Sequence, residues 1–428
     1  MKLTYLFFAA ISAFGPVWAA AQPRWSQWFE PRTLRVDYSF SGDSAHQQIA
    51  LDELISLKGW AGRRHNLDSL ALAGNGQITM RDSATNTVIY RTSFSTLFQE
   101  WQSTAEAAGL RRSFENVFLL PMPRHTAMLT VTLFDVHRRP LSSLTHRVNP
   151  RDILIRNLGE GSAPPPHKYL WRGGSPDSCI DVAIVAEGYT AAEAPKFYRR
   201  AAAAAEALLA TEPFSRRRSG FNILAVALPS EQSGVSVPRK GVWKSTALDS
   251  HFDTFYSERY LTTLHLKKLH NSLAALPYEH IIILANTAEY GGGGIFNSYT
   301  LTAADHPLMP PVVVHEFGHS FGGLADEYFY DDQYSSLYPP DTEPWEPNIT
   351  TLADFNTKWS DMLPPATPIP TPTQGRDSAQ IGVYEGGGYQ SKGVYRAFMD
   401  CRMKTNEAAA FCPVCRRALS RMIDFYTR

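Results

Sequence analysis

The stretch Pro310-Pro311-Val312-Val313-Val314-His315-Glu316-Phe317-Gly318-His319-Ser320-Phe321-Gly322-Gly323-Leu324-Ala325-Asp326-Glu327-Tyr328 decides how the rest of this chain is read. Proline lacks the N–H that a first helical turn leaves unpaired, so the run predicts a helix starting near Pro311. The three valines mark that start as buried. Residues four apart on a helix differ by about 40° around its axis, so His315 and His319 share one face and can grip one cation. Glu316 lies about 100° away, where it reaches a metal-bound water without being a ligand, and is the candidate general base. Gly322-Gly323 breaks the helix one turn after His319 and lets the chain turn back toward the metal. Asp326 follows at the reach of a third ligand, with Glu327 as the alternative. The acid left over is expected to hydrogen-bond a ligand imidazole or a backbone N–H. The ion that two imidazoles and a carboxylate suit is Zn²⁺.

Working outward, Tyr290 to Asn297 precedes this helix and contains four consecutive glycines. It predicts an edge strand or loop in which the bare backbone of Gly292, Gly293 and Gly294 pairs with an extended peptide, a hairpin being the plainer reading. Upstream, Ile180–Ala186, Phe221–Leu228 and His280–Ala285 are apolar runs of strand length, separated by an alanine-rich helix at 191–210 and a second near 261–276. Strands alternating with helices point to an α/β or α+β layer domain. Between Thr33 and Asn149 the pattern changes to period two, as in Leu34–Tyr38, Gln77–Met80, Val88–Arg91 and Met128–Leu133, and predicts an antiparallel β-sandwich. The resulting division is an N-terminal β-rich domain at 22–160, a proline-rich linker at 161–168 and a catalytic domain at 169–428. Pro364–Thr373 reads as a surface loop within the last of these.

Composition excludes other classes. Forty-one Lys and Arg balance 41 Asp and Glu, which leaves no basic surface for nucleic acid. There is no Gly-x-Ser-x-Gly elbow and no Walker A loop. A lysine followed by an apolar run and Ala19-Ala20-Ala21 predicts a signal peptide at 1–21, hence a secreted, periplasmic or surface-associated chain. No later stretch is apolar for long enough to be a transmembrane segment. In an exported chain the cysteines 179, 401, 412 and 415 are expected as disulfides, with free buried thiols as the alternative; Cys412-Pro-Val-Cys415 alone is only half of a zinc ribbon. The adjacent Asp331-Asp332 reads as a solvated loop rather than a Ca²⁺ site.

The run His315 to Tyr328 resembles the metal-binding segment of the IgA peptidase family of zinc metallopeptidases, relatives of the metzincins. Asp181–Thr190, Tyr290–Asn297, Asp400–Lys404 and Phe411–Cys415 resemble the same family. The resemblance runs from about Tyr169 to the C-terminus. It implies a metzincin-like zinc peptidase domain of α+β or α/β class behind the β-sandwich, acting as a secreted endopeptidase on protein or peptide substrates. Metzincins place their third ligand three residues after the glycine that follows the second histidine. From Gly322 that position is Ala325, which cannot bind metal; from Gly323 it is Asp326. The resemblance also implies a methionine beneath the metal, Met403 ahead of Met399. The reading from another class is a non-catalytic adhesin or glycan-binding protein built on a peptidase scaffold.

Overall fold

The computed structural model describes residues 24–161, 163–330, 337–373 and 379–428; the expected leader at 1–21 and the Asp331-Asp332 pair lie outside the described residues. The chain begins with a short helix α1 (Trp25–Trp28) and strands β1 (Phe29–Gly42), β2 (Gln47–Lys58), β3 (Gly76–Asp82) and β4 (Val88–Phe94). Helix α2 (Leu97–Gln102) leads into β5 (Arg112–Pro123), β6 (Ala127–Phe134), β7 (Pro140–Val148) and β8 (Arg156–Leu158). These strands form two four-stranded sheets, β5-β1-β2-β8 and β4-β3-β6-β7. Every pairing is antiparallel except the short parallel contact of β8 with β2, a departure from the purely antiparallel expectation. Along β1, alternate residues Leu34, Val36, Tyr38 and Phe40 enter the core, as the two-residue period of a strand requires.

The intervening Arg35 and Asp37 of β1 are also buried. Arg35 and Asp37 form an ion pair at 2.7 Å, and Arg35 Nη1 donates to Asn271 Oδ1 at 2.6 Å. That contact docks the outer face of the sheet on helix α4 (Leu266–Ser272). A buried charge is tolerated only when paired, so these residues read as polar in the sequence while lying inside the fold.

The second half is organised on a six-stranded sheet of order β13-β14-β12-β10-β11-β9. Its strands are β9 (His167–Arg172), β10 (Ile180–Glu187), β11 (Phe221–Val226), β12 (His280–Ala285), β13 (Gly292–Ile295) and β14 (Tyr299–Ala303). The four central strands are parallel and the two edge strands antiparallel. Because β9 begins at His167, the end of the proline-rich segment already belongs to this sheet, and Ala227 N–H donates to Pro166 O at 2.8 Å.

Both faces of this sheet are covered, which is why its central strands are unbroken apolar runs. Ile180, Val182, Ile184 and Ala186 of β10 face helices α3 (Ala194–Ala210), α5 (Met309–Ser320) and α6 (Pro413–Thr427). Ala183 and Val185 face the other way, into the same continuous core as Phe40, Phe94 and Leu129 of the N-terminal sheets. A smaller sheet of β15 (Phe329–Tyr330), β16 (Ile349–Thr350), β17 (Tyr384–Gly387) and β18 (Tyr389–Arg396) closes the fold beside α5. No described helix is long and apolar enough to cross a membrane.

Candidate metal centre

Helix α5 starts at Met309, with prolines in its first turn. Val313 and Phe317 are fully buried on its sheet-facing side, each such side chain contributing about 1.5–3 kcal/mol by removal from water. Thr300 and Ser320 hydroxyls, 2.6 Å apart, fasten the end of the helix to β14. At Gly323, φ of +58° reverses the chain, and the Leu324 N–H returns to the Gly318 carbonyl at 3.1 Å. This bend brings Asp326 back under the helix.

The two imidazoles meet edge to face, with His315 Nε2 and His319 Nε2 3.0 Å apart. Asp326 Oδ1 lies 3.1 Å from the first and 3.2 Å from the second. Each ring is oriented from behind: His315 Nδ1 is 2.8 Å from Arg402 O, and His319 Nδ1 is 2.6 Å from Leu324 O. Nδ1–H donation to these carbonyls turns both Nε2 atoms toward Asp326, where they offer lone pairs to an ion once deprotonated. Asp326 Oδ1 is buried without a well-formed hydrogen bond. Three converging acceptors at such spacings approximate one face of a tetrahedron with bonds of about 2.0–2.1 Å, whose edges are about 3.3 Å. The donor set fits a small divalent cation such as Zn²⁺.

Glu316 is not part of that triangle, but its carboxylate oxygen and the two imidazole nitrogens lie within 4.8 Å of one another. Burial pushes its carboxyl up against the attraction of the two histidines. Burial also opposes charge on His319, yet Asp326 outweighs it and raises the imidazole to about 9; His315 is raised in the same way. Despite its own burial, Asp326 is held well below the usual carboxylate range by the two rings.

Met403 is fully buried beneath this helix. A Cβ placed on Gly318 would come within 2.8 Å of its Sδ, so the sulfur fills the gap left by the glycine between the two histidines. Met399, the other methionine considered, is half-buried.

The glycines on β13 occupy an edge strand, but close packing accounts for their missing side chains. A Cβ on Gly292 would meet Glu316 Oε1 at 2.8 Å, one on Gly293 the Tyr260 ring at 2.7 Å, and one on Gly294 the Glu316 carbonyl at 2.3 Å. The outer side of Gly292 is moreover taken: its N–H donates to Arg259 O at 3.2 Å, and its carbonyl accepts from Leu261 N–H at 3.4 Å. All three glycines nevertheless line the cleft that opens over the histidines.

That cleft has a volume of about 1500 Å³, and part of its wall comes from the N-terminal sheets and α2. There Glu100 accepts a hydrogen bond from the Tyr260 hydroxyl and is pushed up to about 7 by burial. On the opposite side Tyr389 donates its hydroxyl to Asp326 Oδ2. The sequence reading missed Glu100, Tyr260 and Tyr389. For Tyr389 the one available signal was the preceding glycine run, where Gly386 and Gly388 take φ of +98° and +56° to turn β17 into β18.

Glu327 does not serve the imidazoles. It is fully buried and faces away from them, its N–H bonded to Met403 O at 2.8 Å and its Oε1 to Asn348 Nδ2 at 2.9 Å. The expected disulfides are not formed either, since all four cysteines are free and buried.

The family model described as IgA Peptidase M64 matches residues 170–377 and 373–423. The model described as Peptidase M64 N-terminus matches residues 24–144. No curated protein matches the chain.

Proposed function

Because the chain belongs to the IgA peptidase M64 family, a family of peptidases, we propose that it is a zinc-dependent endopeptidase of metzincin-like architecture. His315, His319 and Asp326 would hold the Zn²⁺. When bound, the ion supplies a Lewis acid for the scissile carbonyl and makes water a stronger acid. Glu316 takes a proton from the attacking water on its carboxylate and delivers it to the leaving amine. Burial raises its proton affinity above that of an ordinary carboxylate, the direction an acid–base group needs in order to take and return a proton. Tyr389 fixes Asp326 through Oδ2 and leaves Oδ1 for the ion. Met403 supports the helix from below.

The cleft is large enough to admit an extended chain past Gly293 and Gly294, with Glu100 in its lining. The leader-like start of the sequence supports export and an extracellular protein substrate. The convergence of Asp326 Oδ1 with both Nε2 atoms beside Glu316 carries this reading and weighs against an adhesin on an inert scaffold.

The test is metal analysis of the purified full chain together with cleavage of an unbiased peptide library, with and without a chelator. Chelator-sensitive cleavage is expected, and Asp326→Ala should sharply lower zinc affinity at this site. Persistent inactivity of the zinc-loaded chain would favour the adhesin, and unchanged zinc affinity in Asp326→Ala would move the third ligand elsewhere.

A further inference from the structure

Behind the histidine site lies a second group of metal-competent side chains that the peptidase chemistry does not use. Glu327, Cys401, Cys412 and Cys415 each offer one ligand atom, and these atoms lie within 4.8 Å of one another. All four residues are essentially excluded from solvent. We propose that they form a second, structural zinc site of three thiolates and one carboxylate.

The spacing supports a shared ion. Cys401 Sγ and Cys415 Sγ are 3.8 Å apart, whereas a disulfide would hold them at about 2.0 Å. Zinc–sulfur bonds of about 2.3 Å in tetrahedral geometry put neighbouring sulfurs about 3.8 Å apart. Cys415 Sγ is 3.1 Å from Glu327 Oε1.

The backbone prepares the sulfurs for negative charge. Cys412 N–H points at Cys401 Sγ at 3.2 Å and Cys415 N–H at Cys412 Sγ at 3.5 Å. Cys412 is the N-cap of α6, with Pro413 in the first turn, so its sulfur sits at the positive end of a helix of fifteen residues. Glu327 supplies the independent sign of a missing partner. Asn348 orients Oε1, while Oε2 is buried with no hydrogen bond. Arg396, the nearby guanidinium, attracts Glu327 but gives Nη1 to the Glu385 and Gly386 carbonyls and makes no hydrogen bond to Oε2. A buried carboxylate oxygen left in this state is costly unless a cation meets it. Three sulfurs and one oxygen favour zinc over calcium or magnesium.

An ion here would tie three separate segments together at the places that orient the first site. Glu327 is the neighbour of Asp326, Cys401 is the neighbour of Arg402 whose carbonyl holds His315, and Cys412 and Cys415 open α6. The second site therefore acts by positioning and touches no substrate.

The experiment uses the full-length chain and the metal alone. Native mass spectrometry should find two zinc ions per chain, falling to one in the His315→Ala/His319→Ala double variant. Replacing the remaining ion in that variant with Co²⁺ should give strong thiolate-to-cobalt charge-transfer absorption in the near ultraviolet, lost on adding Cys412→Ser. If the serine variant fails to fold, alkylation of the histidine double variant decides. Cys401, Cys412 and Cys415 should stay reduced and unreactive until the chain is denatured with a chelator. A double variant that binds no metal, a retained Co²⁺ without thiolate absorption, or a disulfide among these three cysteines would each overturn the proposal. None of these readouts depends on peptide cleavage.

Discussion

Asp326 and Glu327 are consecutive residues, yet each serves a different buried cluster. Successive side chains on extended backbone point to opposite sides. Asp326 turns to the imidazoles at the floor of the cleft, and Glu327 turns to the three sulfurs behind it. The first cluster is reached from the cleft and has Glu316 beside it. The second is closed off and, among the described residues, has no acid–base group facing the cleft. The contrast teaches that ligand type alone does not separate a reactive centre from a clamp; access and a spare proton carrier do.

The sharpest way to break the comparison is Glu316→Gln. Removing the proposed base while keeping the proposed ligands should lower kcat by roughly 10²–10⁴-fold with metal content and unfolding midpoint unchanged. Preserved turnover with zinc bound would strip the first cluster of its distinguishing feature.

Tyr389→Phe comes next. Losing the hydroxyl that steadies Asp326 should cost about 10–100-fold in metal affinity or activity, and the loss should be confined to the histidine site. Competition with a metal-sensitive dye would show it, and an unaltered zinc affinity and rate would remove Tyr389 from the account.

Asn348→Ala probes the peptide segment that both clusters share. Asn348 bonds the backbone of Ala325 in both directions and also holds Glu327 Oε1. Its removal orphans buried groups at about 1–3 kcal/mol each. Denaturant unfolding should therefore register a loss of that order, and a midpoint equal to the parent's would count against the coupling of the two acids.

The last effect, on the pH dependence of stability rather than on either cluster, is expected at Glu100, on the far wall. Its folded pKa is raised by burial from 4.5 to about 7. The folded state therefore holds this proton more tightly, a contribution fully present below about pH 4.5 and lost as pH rises through 7. Glu100→Gln should flatten that part of the stability profile and gain relative to the parent above pH 7. Thermal unfolding across this range would reveal parallel profiles if the carboxyl titrates normally.

The histidine site was legible because its first three members lie on one helical turn, where fixed geometry converts spacing into proximity. The register of Asp326 was narrowed by counting the double glycine against the ligand spacing that the metzincin resemblance supplied. The cysteine cluster was not legible. Cys412-x-x-Cys415 is local, but Cys401 joins it only because the turn at Cys401–Thr405 packs beside α6, and Glu327 arrives from across the fold. The strands β10, β11 and β12 were readable as apolar runs, since both their faces are buried. On β1 the alternation was obscured by Arg35 and Asp37, whose docking on α4 buries charges that normally signal solvent. The glycines of β13 were read as an edge strand or a hairpin, and they form both, while the reason for them, close approach by Glu316 and Tyr260, depends on tertiary packing that no local pattern encodes.

The joint core of Phe40, Phe94 and Leu129 with Ala183, Val185 and Leu301 has a consequence for synthesis. The first hundred-odd residues leave the ribosome without the surface that completes them, since it is encoded as late as β14. Until roughly three hundred residues have emerged, that early segment carries unsatisfied apolar area and is exposed to aggregation. A truncated peptidase half, started after the proline-rich stretch, would inherit the same problem from the other side.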